Sequence, residues 1–207
     1  MLVSMTSSAP EGDVAIVGAR QEHRSDSVIL RPLHGDSLDL VTGWLNAPDN
    51  LKWLDFGNGR RSLSRLSLSV MAGSRSHLIR LYCSEQDGRP IGIVGVNHIS
   101  DPSKTGTLWA VRGDRNHGGR QITKRAVATL LHEAFMEHAL NSVYTWVVET
   151  NSPSIAMVDS IGFRRIGTQR ACHSMDGQLF GRIHFDIVSN EINWDLVDLK
   201  SIEKPSL

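Results

Sequence analysis

Residues 112–135, from Arg112 to Phe135, read RGDRNHGGRQITKRAVATLLHEAF, and the order of features within them decides the fold. A strand end gives way to a loop holding two glycines, and a long amphipathic helix follows. A helix N-terminus presents unpaired backbone N–H groups and the positive end of the helix dipole, which suits an anion such as phosphate. Gly118 and Gly119 let the main chain turn tightly and approach a ligand closely. Arg112, Arg115, Arg120, Lys124 and Arg125 set cationic side chains around the same turn. Taken alone, the segment also fits a helix that merely begins after two glycines, with Lys and Arg on its solvated face.

The flanking sequence extends the pattern. Upstream, Thr105 to Val111 alternates as a strand does. Downstream, Val143 to Glu149 reads as a second strand, and Thr150-Asn151-Ser152-Pro153-Ser154 opens a second helix with apolar positions Ile155, Ala156, Val158 and Ile161. Asn151 suits the N-cap, Pro153 the first turn and Gly162 the C-terminal cap. The unit is strand, anion-binding helix, strand, capped helix, strand.

At this point the chain resembles the GNAT acyltransferase superfamily, which moves an acyl group from acyl-CoA, usually to an amine. Arg115-Asn116-His117-Gly118-Gly119-Arg120 is similar to the family's Q/R-x-x-G-x-G/A coenzyme loop, with Arg120 standing where Gly or Ala is usual. Asn151, Ser154 and Ile161-Gly162-Phe163 resemble its N-x-x-S element and the "GF" that ends the following helix. The order most resembles the ribosomal-protein-alanine acetyltransferase (RimJ/RimL-like) branch, over roughly Val28 to Ser189. The resemblance implies an α/β (α+β) fold: a mixed, mostly antiparallel central sheet with splayed parallel strands, flanked by helices on both faces. It implies acetyl-CoA as donor, with Ala110, Val111 and Arg112 along the pantetheine arm. Arg115, His117, Gly118, Gly119, Arg120, Gln121 and Ile122 would serve the pyrophosphate, and Asn151 and Ser154 the second strand's end. Arg120 either reaches a coenzyme phosphate or points to solvent, and Asn151 either bonds the arm or only caps its helix.

Acylating an amine requires removal of a proton from an ammonium and a donor for the oxyanion that develops on the thioester. Many relatives supply a Tyr seven residues after the Asn, where this chain has Val158, and some a Glu base on the second strand, where it has Trp146. His98, on the strand Pro90 to Ile99, is the substitute base, with an intrinsic pKa suited to the task, and Glu149 is a second candidate. A regular strand would turn Asn97 to the opposite face from His98. A half-buried His bonded to its neighbours explains His98 as well, and Glu149 is equally read as simply ending its strand. The resemblance puts the acceptor wall at Asn50 to Asn58, where Trp53 and Phe56 either offer stacking surface or simply pack in the core, and Asp55 is a partner for a cation or a hydroxyl.

Composition narrows the classes. The 207 residues are 40% hydrophobic, enough for one core, and the formal net charge is zero, which argues against a nucleic-acid binder working through a general basic field. No transmembrane run or signal-like stretch is evident, so a cytoplasmic protein is expected, with no membrane partner. The two cysteines, Cys83 and Cys172, and the nine histidines show no metal-type spacing, and no metal is expected.

Along the chain, residues 1–27 read as a flexible extension, 28–190 as the acyltransferase domain and 191–207 as a tail that forms a short helix on the body or an oligomer contact. A homodimer is compatible with this. Asp36 is expected to cap a first helix, a second helix to run from about Arg61 to Met71, and hairpins to turn at Gln86 to Arg89 and Met175 to Gly177. The expected activity is N-acetyl transfer from acetyl-CoA to a primary amine, such as a small amine, an amino sugar or a protein N-terminus. A catalytically silent acyl-CoA-binding protein of the same fold is the alternative.

Overall fold

The computed structural model describes residues 27–57, 62–100, 102–116 and 121–197. The elements run β1 (Val28–Pro32), α1 (Ser37–Asn46), α2 (Pro48–Leu51), α3 (Arg65–Ala72), β2 (Leu78–Ser84), β3 (Pro90–Ser100) and β4 (Thr105–Arg112). They continue with α4 (Ile122–Met136), β5 (Ser142–Val148), α5 (Ser152–Ile161), β6 (Arg164–Met175) and β7 (Gln178–Val188). The strands form one seven-stranded sheet in the order β1-β2-β3-β4-β5-β7-β6. Neighbours pair antiparallel except β4 and β5, which run parallel. The expected mixed, mostly antiparallel sheet with helices on both faces is what the chain forms.

Alternation along the strands creates two cores. On one face, Val94, Val96, Leu108, Val143 and Phe185 pack against Ala126, Leu130 and Leu131 of α4 and Val158 and Ile161 of α5. On the other, Ile79, Leu81, Ile93 and Val111 pack under Leu38, Val41 and Leu45 of α1 and Leu68 of α3. Each fully buried Leu or Ile contributes about 1.5–3 kcal/mol, so both helical layers are held on firmly. One ion pair is buried in this packing. Arg80 of β2 forks onto Glu133 of α4, with Nε 3.1 Å from Oε2 and Nη2 on Oε1, and Glu133 is 2% exposed.

Local chemistry sets the ends of the elements. Asn151 caps α5, its Oδ1 accepting from the Ser154 N–H at 3.3 Å. Gly162 ends that helix at φ 116°, and a Cβ there would strike the Glu191 carbonyl, so only glycine fits. The turn between β6 and β7 holds Asp176 and Gly177 at φ 51° and 77°, as a two-residue hairpin requires. At α1 the expectation fails: Asp36 occupies the cap position but its side chain makes no capping bond, and Ser37 Oγ donates instead to His34 O. The helix expected from about Arg61 starts at Arg65, capped by Ser64, whose hydroxyl accepts from the Ser67 N–H at 3.1 Å.

After β7 the chain turns back across the domain. Ile192 is buried in the α4/α5 core, the Asn193 N–H donates to Ile161 O at 2.9 Å, and Trp194 meets the His132 ring edge-on at 5.7 Å. The described part of the tail is thus packed on the body, whereas the extension before Ser27 lies outside the described residues.

Candidate active site

The sheet opens in its middle. Strands β4 and β5 pair at Thr105–Ser142, Gly106–Val143 and Thr107–Tyr144, and beyond that rung they no longer pair. At the fork, Thr145 Oγ1 donates 3.0 Å to Leu108 O, so a side chain takes the place of the next main-chain bond. The lips of the fork are Leu108 to Arg112 on one side and Thr145 to Val148 on the other.

A cavity of about 930 Å3 runs through this fork. Strand alternation divides its lining. Toward α5 lie Ala110, Val147, Asn151, Ser154 and Met157. Toward α1, α3 and the α2–α3 loop lie Trp53, Asp55 and Phe56, with Thr107 and Trp109 from β4 and Trp146 from β5. The cavity therefore joins the two faces of the sheet, and a ligand threaded between the strands would meet a second ligand on the far side. Gly95 makes room for this wall: a Cβ there would lie 2.6 Å from the Trp109 ring.

Of the twelve residues expected along a coenzyme, eight are described, and six of these come together at the cavity. Ala110, Val111, Arg112, Arg115, Asn151 and Ser154 all line the cavity. Val111 turns its side chain into the opposite core and offers the fork only its backbone. Arg112 Nε is bonded to Asp114 O at 3.2 Å, and Arg115 Nη2 reaches Asn50 Oδ1 at 2.8 Å. Gln121 sits at the N-cap position of α4, and Ile122, fully buried, begins the helix. No acidic residue stands in the first turn of α4, which leaves its positive end uncompensated within the helix. His117, Gly118, Gly119 and Arg120 lie outside the described residues.

Trp53, Asp55 and Phe56, the residues expected at an acceptor wall, line the cavity. His98 lines it too, but not as a regular strand residue. It sits at φ 54° where the β3–β4 register shifts, and this bulge brings Asn97 and His98 to the same cavity rather than to opposite faces. The His98 ring lies 6.2 Å from that of His77, whose Nδ1 is 2.9 Å from Ser76 Oγ. Burial, and then the nearby His98, push the His77 pKa below its ordinary 6.5. An imidazole kept neutral beside a cavity is suited to taking a proton.

Glu149 stands elsewhere. Its Oε1 accepts from the Gly181 N–H at 2.6 Å and its own N–H donates to Gly181 O at 3.0 Å, so it closes the β5–β7 edge and is not among the cavity-lining residues. Its position at the end of a paired strand is the reason. Val158, at the usual tyrosine position, is 2% exposed and packed in the core.

Sequence reasoning did not find a polar cluster behind the acceptor wall. Arg182 of β7 sits over Trp146, its Cζ 3.9 Å from the ring centroid, and Nη2 donates to Asp55 Oδ2 at 2.7 Å. Its Nε and Nη2 also face His173 Nδ1 at 3.3 and 3.0 Å, while His173 Nε2 lies 2.7 Å from Lys52 O. Two donors facing Nδ1 and a carbonyl facing Nε2 assign Nδ1 as the acceptor and Nε2 as the donor. The Arg182 bond, helped by the Gly57 N–H, holds the Asp55 carboxyl below the usual carboxylate range. Only the three-dimensional pairing reveals this cluster, since its members come from three distant segments.

Among the described residues no group of three or more His, Cys, Asp or Glu could hold a metal ion, and no helix is long and apolar enough to cross a membrane. Comparison with known proteins fits this geometry. The spermidine N-acetyltransferase from Vibrio cholerae, solved with CoA and spermine, superimposes at a TM-score of 0.70 over 81% of this chain and 98% of that one, at 15% identity. The ribosomal-protein-S5-alanine acetyltransferase from Vibrio fischeri gives 0.65 over 80% and 95%, also at 15% identity. Most of the similar structures compared are spermidine enzymes, so the narrower RimJ/RimL-like assignment finds no support in them. In sequence, an uncharacterized N-acetyltransferase from Bacillus licheniformis is 23% identical over 176 residues, covering 81% of this chain and 96% of that protein. The family model for GNAT acetyltransferases matches residues 48–163, more than half of the sequence, and the chain belongs to that family.

Proposed function

We propose that this acetyltransferase moves the acetyl group of acetyl-CoA to a primary amine by direct attack in a ternary complex. The observation that carries this reading is the cavity that passes through the β4–β5 fork and reaches both faces of the sheet. A thioester entering from the α5 side and an amine entering from the α2–α3 loop side meet there without a covalent enzyme intermediate. The lips of the fork supply main-chain groups for an extended arm, as an added strand would use them, and Asn151 and Ser154 stand at the far lip.

Two demands follow from the chemistry. The attacking nitrogen must lose a proton, and His98 with His77 forms the imidazole pair on the acceptor wall that can take it. The nitrogen then bonds to the acetyl carbon as the C–S bond breaks and gives up its second proton to leave the neutral amide, while the departing thiolate gains a proton. With Val158 in the core, the chain holds no hydroxyl at the usual position, so that last proton comes from water or another cavity group. Holding both reactants in line contributes much of the acceleration, about 7–11 kcal/mol at best. The silent-binder alternative is not favoured, because the family and the similar proteins are acetyltransferases.

The test is direct. Purified protein should bind acetyl-CoA by calorimetry and release free thiol when an amine mixture is added. Absence of acetyl-CoA binding, or of thiol release with every amine tried, overturns the reading.

A further inference from the structure

We propose that the acceptor is an amine with a single positive charge on a flat, largely apolar body, and that Arg182 enforces this choice by occupying the carboxylate of the acceptor wall. The inference rests on the acetyl-transfer reading above and specifies its substrate class.

Among the described lining residues, Asp55 is the one carboxylate. A polyamine brings two or more ammonium groups, and each one taken from water needs a carboxylate or several acceptors to replace its hydration. Asp55 cannot serve a second cation well. Arg182 holds one oxygen at 2.7 Å and the Gly57 N–H holds the other at 2.8 Å. Nor does Arg182 move aside easily. Its side chain is 15% exposed, is stacked on Trp146, and is bonded from behind by His173, which Lys52 O orients. The pair leaves the wall close to neutral.

What the wall offers instead is aromatic. Trp53, Phe56, Trp109 and Trp146 all line the cavity, a surface for stacking a planar group. Three polar atoms in the same stretch are buried without a hydrogen-bond partner: Asn97 Oδ1, Thr107 Oγ1 and Trp109 Nε1. Asn97 and Thr107 face each other across the β3–β4 ladder, and Trp109 is two residues further along β4. These atoms have almost no accessible surface, so the cavity does not offer them to a ligand as it stands. The aromatic lining and the occupied carboxylate suit an aromatic monoamine and penalise a polyamine.

The experiment compares kcat/KM by thiol release for tryptamine and 2-phenylethylamine against spermidine, putrescine, glucosamine and an alanine-terminated peptide. The aromatic monoamines should exceed the polyamines by about ten-fold or more. Arg182→Gln, checked for an intact fold by its melting curve, should shift the ratio toward spermidine by a similar factor, through KM for the amine and not for acetyl-CoA. Spermidine turned over as fast as tryptamine by the unaltered protein, or turnover confined to glucosamine or the peptide, overturns the inference while acetyl transfer stands. A folded Arg182→Gln protein with an unchanged ratio removes Arg182 from specificity. No thiol release with any amine overturns the transfer reading and this inference together.

Discussion

The hydroxyl of Thr145 donates to the Leu108 carbonyl across 3.0 Å at the rung where β4 and β5 stop pairing. One side chain therefore does two jobs, satisfying a buried acceptor and marking where the fork begins. Thr145→Val keeps the shape and leaves Leu108 O without that donor. The expected cost is about 1–3 kcal/mol, read as a lower urea midpoint at constant m-value, with weaker acetyl-CoA binding as the fork relaxes. Stability equal to the parent protein would mean that the bond is replaced by another donor.

Asn151 separates capping from ligand binding. The helix cap uses only Oδ1, which an aspartate can reproduce, whereas the amide NH2 is a donor that aspartate lacks. Asn151→Ala should lose about 0.5–2 kcal/mol of stability. Asn151→Asp should keep stability yet weaken acetyl-CoA binding severalfold. Calorimetry on the two variants decides the role; full affinity in Asn151→Asp reduces Asn151 to a cap.

The pH dependence follows from His77. Its pKa in the folded protein is below the ordinary 6.5, so below about pH 6.5 the unfolded chain takes up a proton that the folded protein resists. Stability should therefore fall as pH drops from 6.5 toward the lowered value and then level off. If His77 accepts the amine's proton, the acid limb of kcat/KM should lie below pH 6.5. An acid limb that stays in place in His77→Gln assigns the proton elsewhere, and the same profile for His98→Gln tests its neighbour.

The Arg80–Glu133 pair predicts a purely structural effect. Arg80→Ala strands a carboxylate that is 2% exposed, and removal of one partner from a buried pair costs about 3–5 kcal/mol. Melting should fall steeply for Arg80→Ala and much less for the double change Arg80→Met with Glu133→Leu. Equal losses for both would show that packing volume, not charge, holds that layer.

The sheet and its helices were readable because local chemistry writes them. Period-two alternation marks β4 and β5, Asn151 and Gly162 bracket α5, and Asp176-Gly177 announces its hairpin. The cavity lining at Ala110 to Arg115 and Asn151 to Ser154 was readable for the same reason, since both are short contiguous pieces. The lining on the far side of the sheet was not. His98 reaches the cavity through a bulge that alternation cannot foresee, and with it comes Asn97, which regular pleating would send away. Arg182 meets Asp55 across 127 positions of sequence, a pairing fixed by how the α2–α3 loop lies on β7. Glu149 looked suited to proton transfer by its residue type, yet its partner, Gly181, sits on a neighbouring strand. Residue type suggests chemistry, while the tertiary partner decides which chemistry is left available.

The segment after β7 gives the α5 wall of the cavity a hidden dependence. Asn193 bonds the last residue of α5, and the Glu191 carbonyl lies where a Cβ on Gly162 would have to go. The helix that presents Asn151 is thus propped at its C-terminal end by Glu191 and Asn193, from beyond the last two strands. Trimming the protein back to the end of its last strand would spare every lining side chain and still let that helix drift, costing donor affinity at a distance.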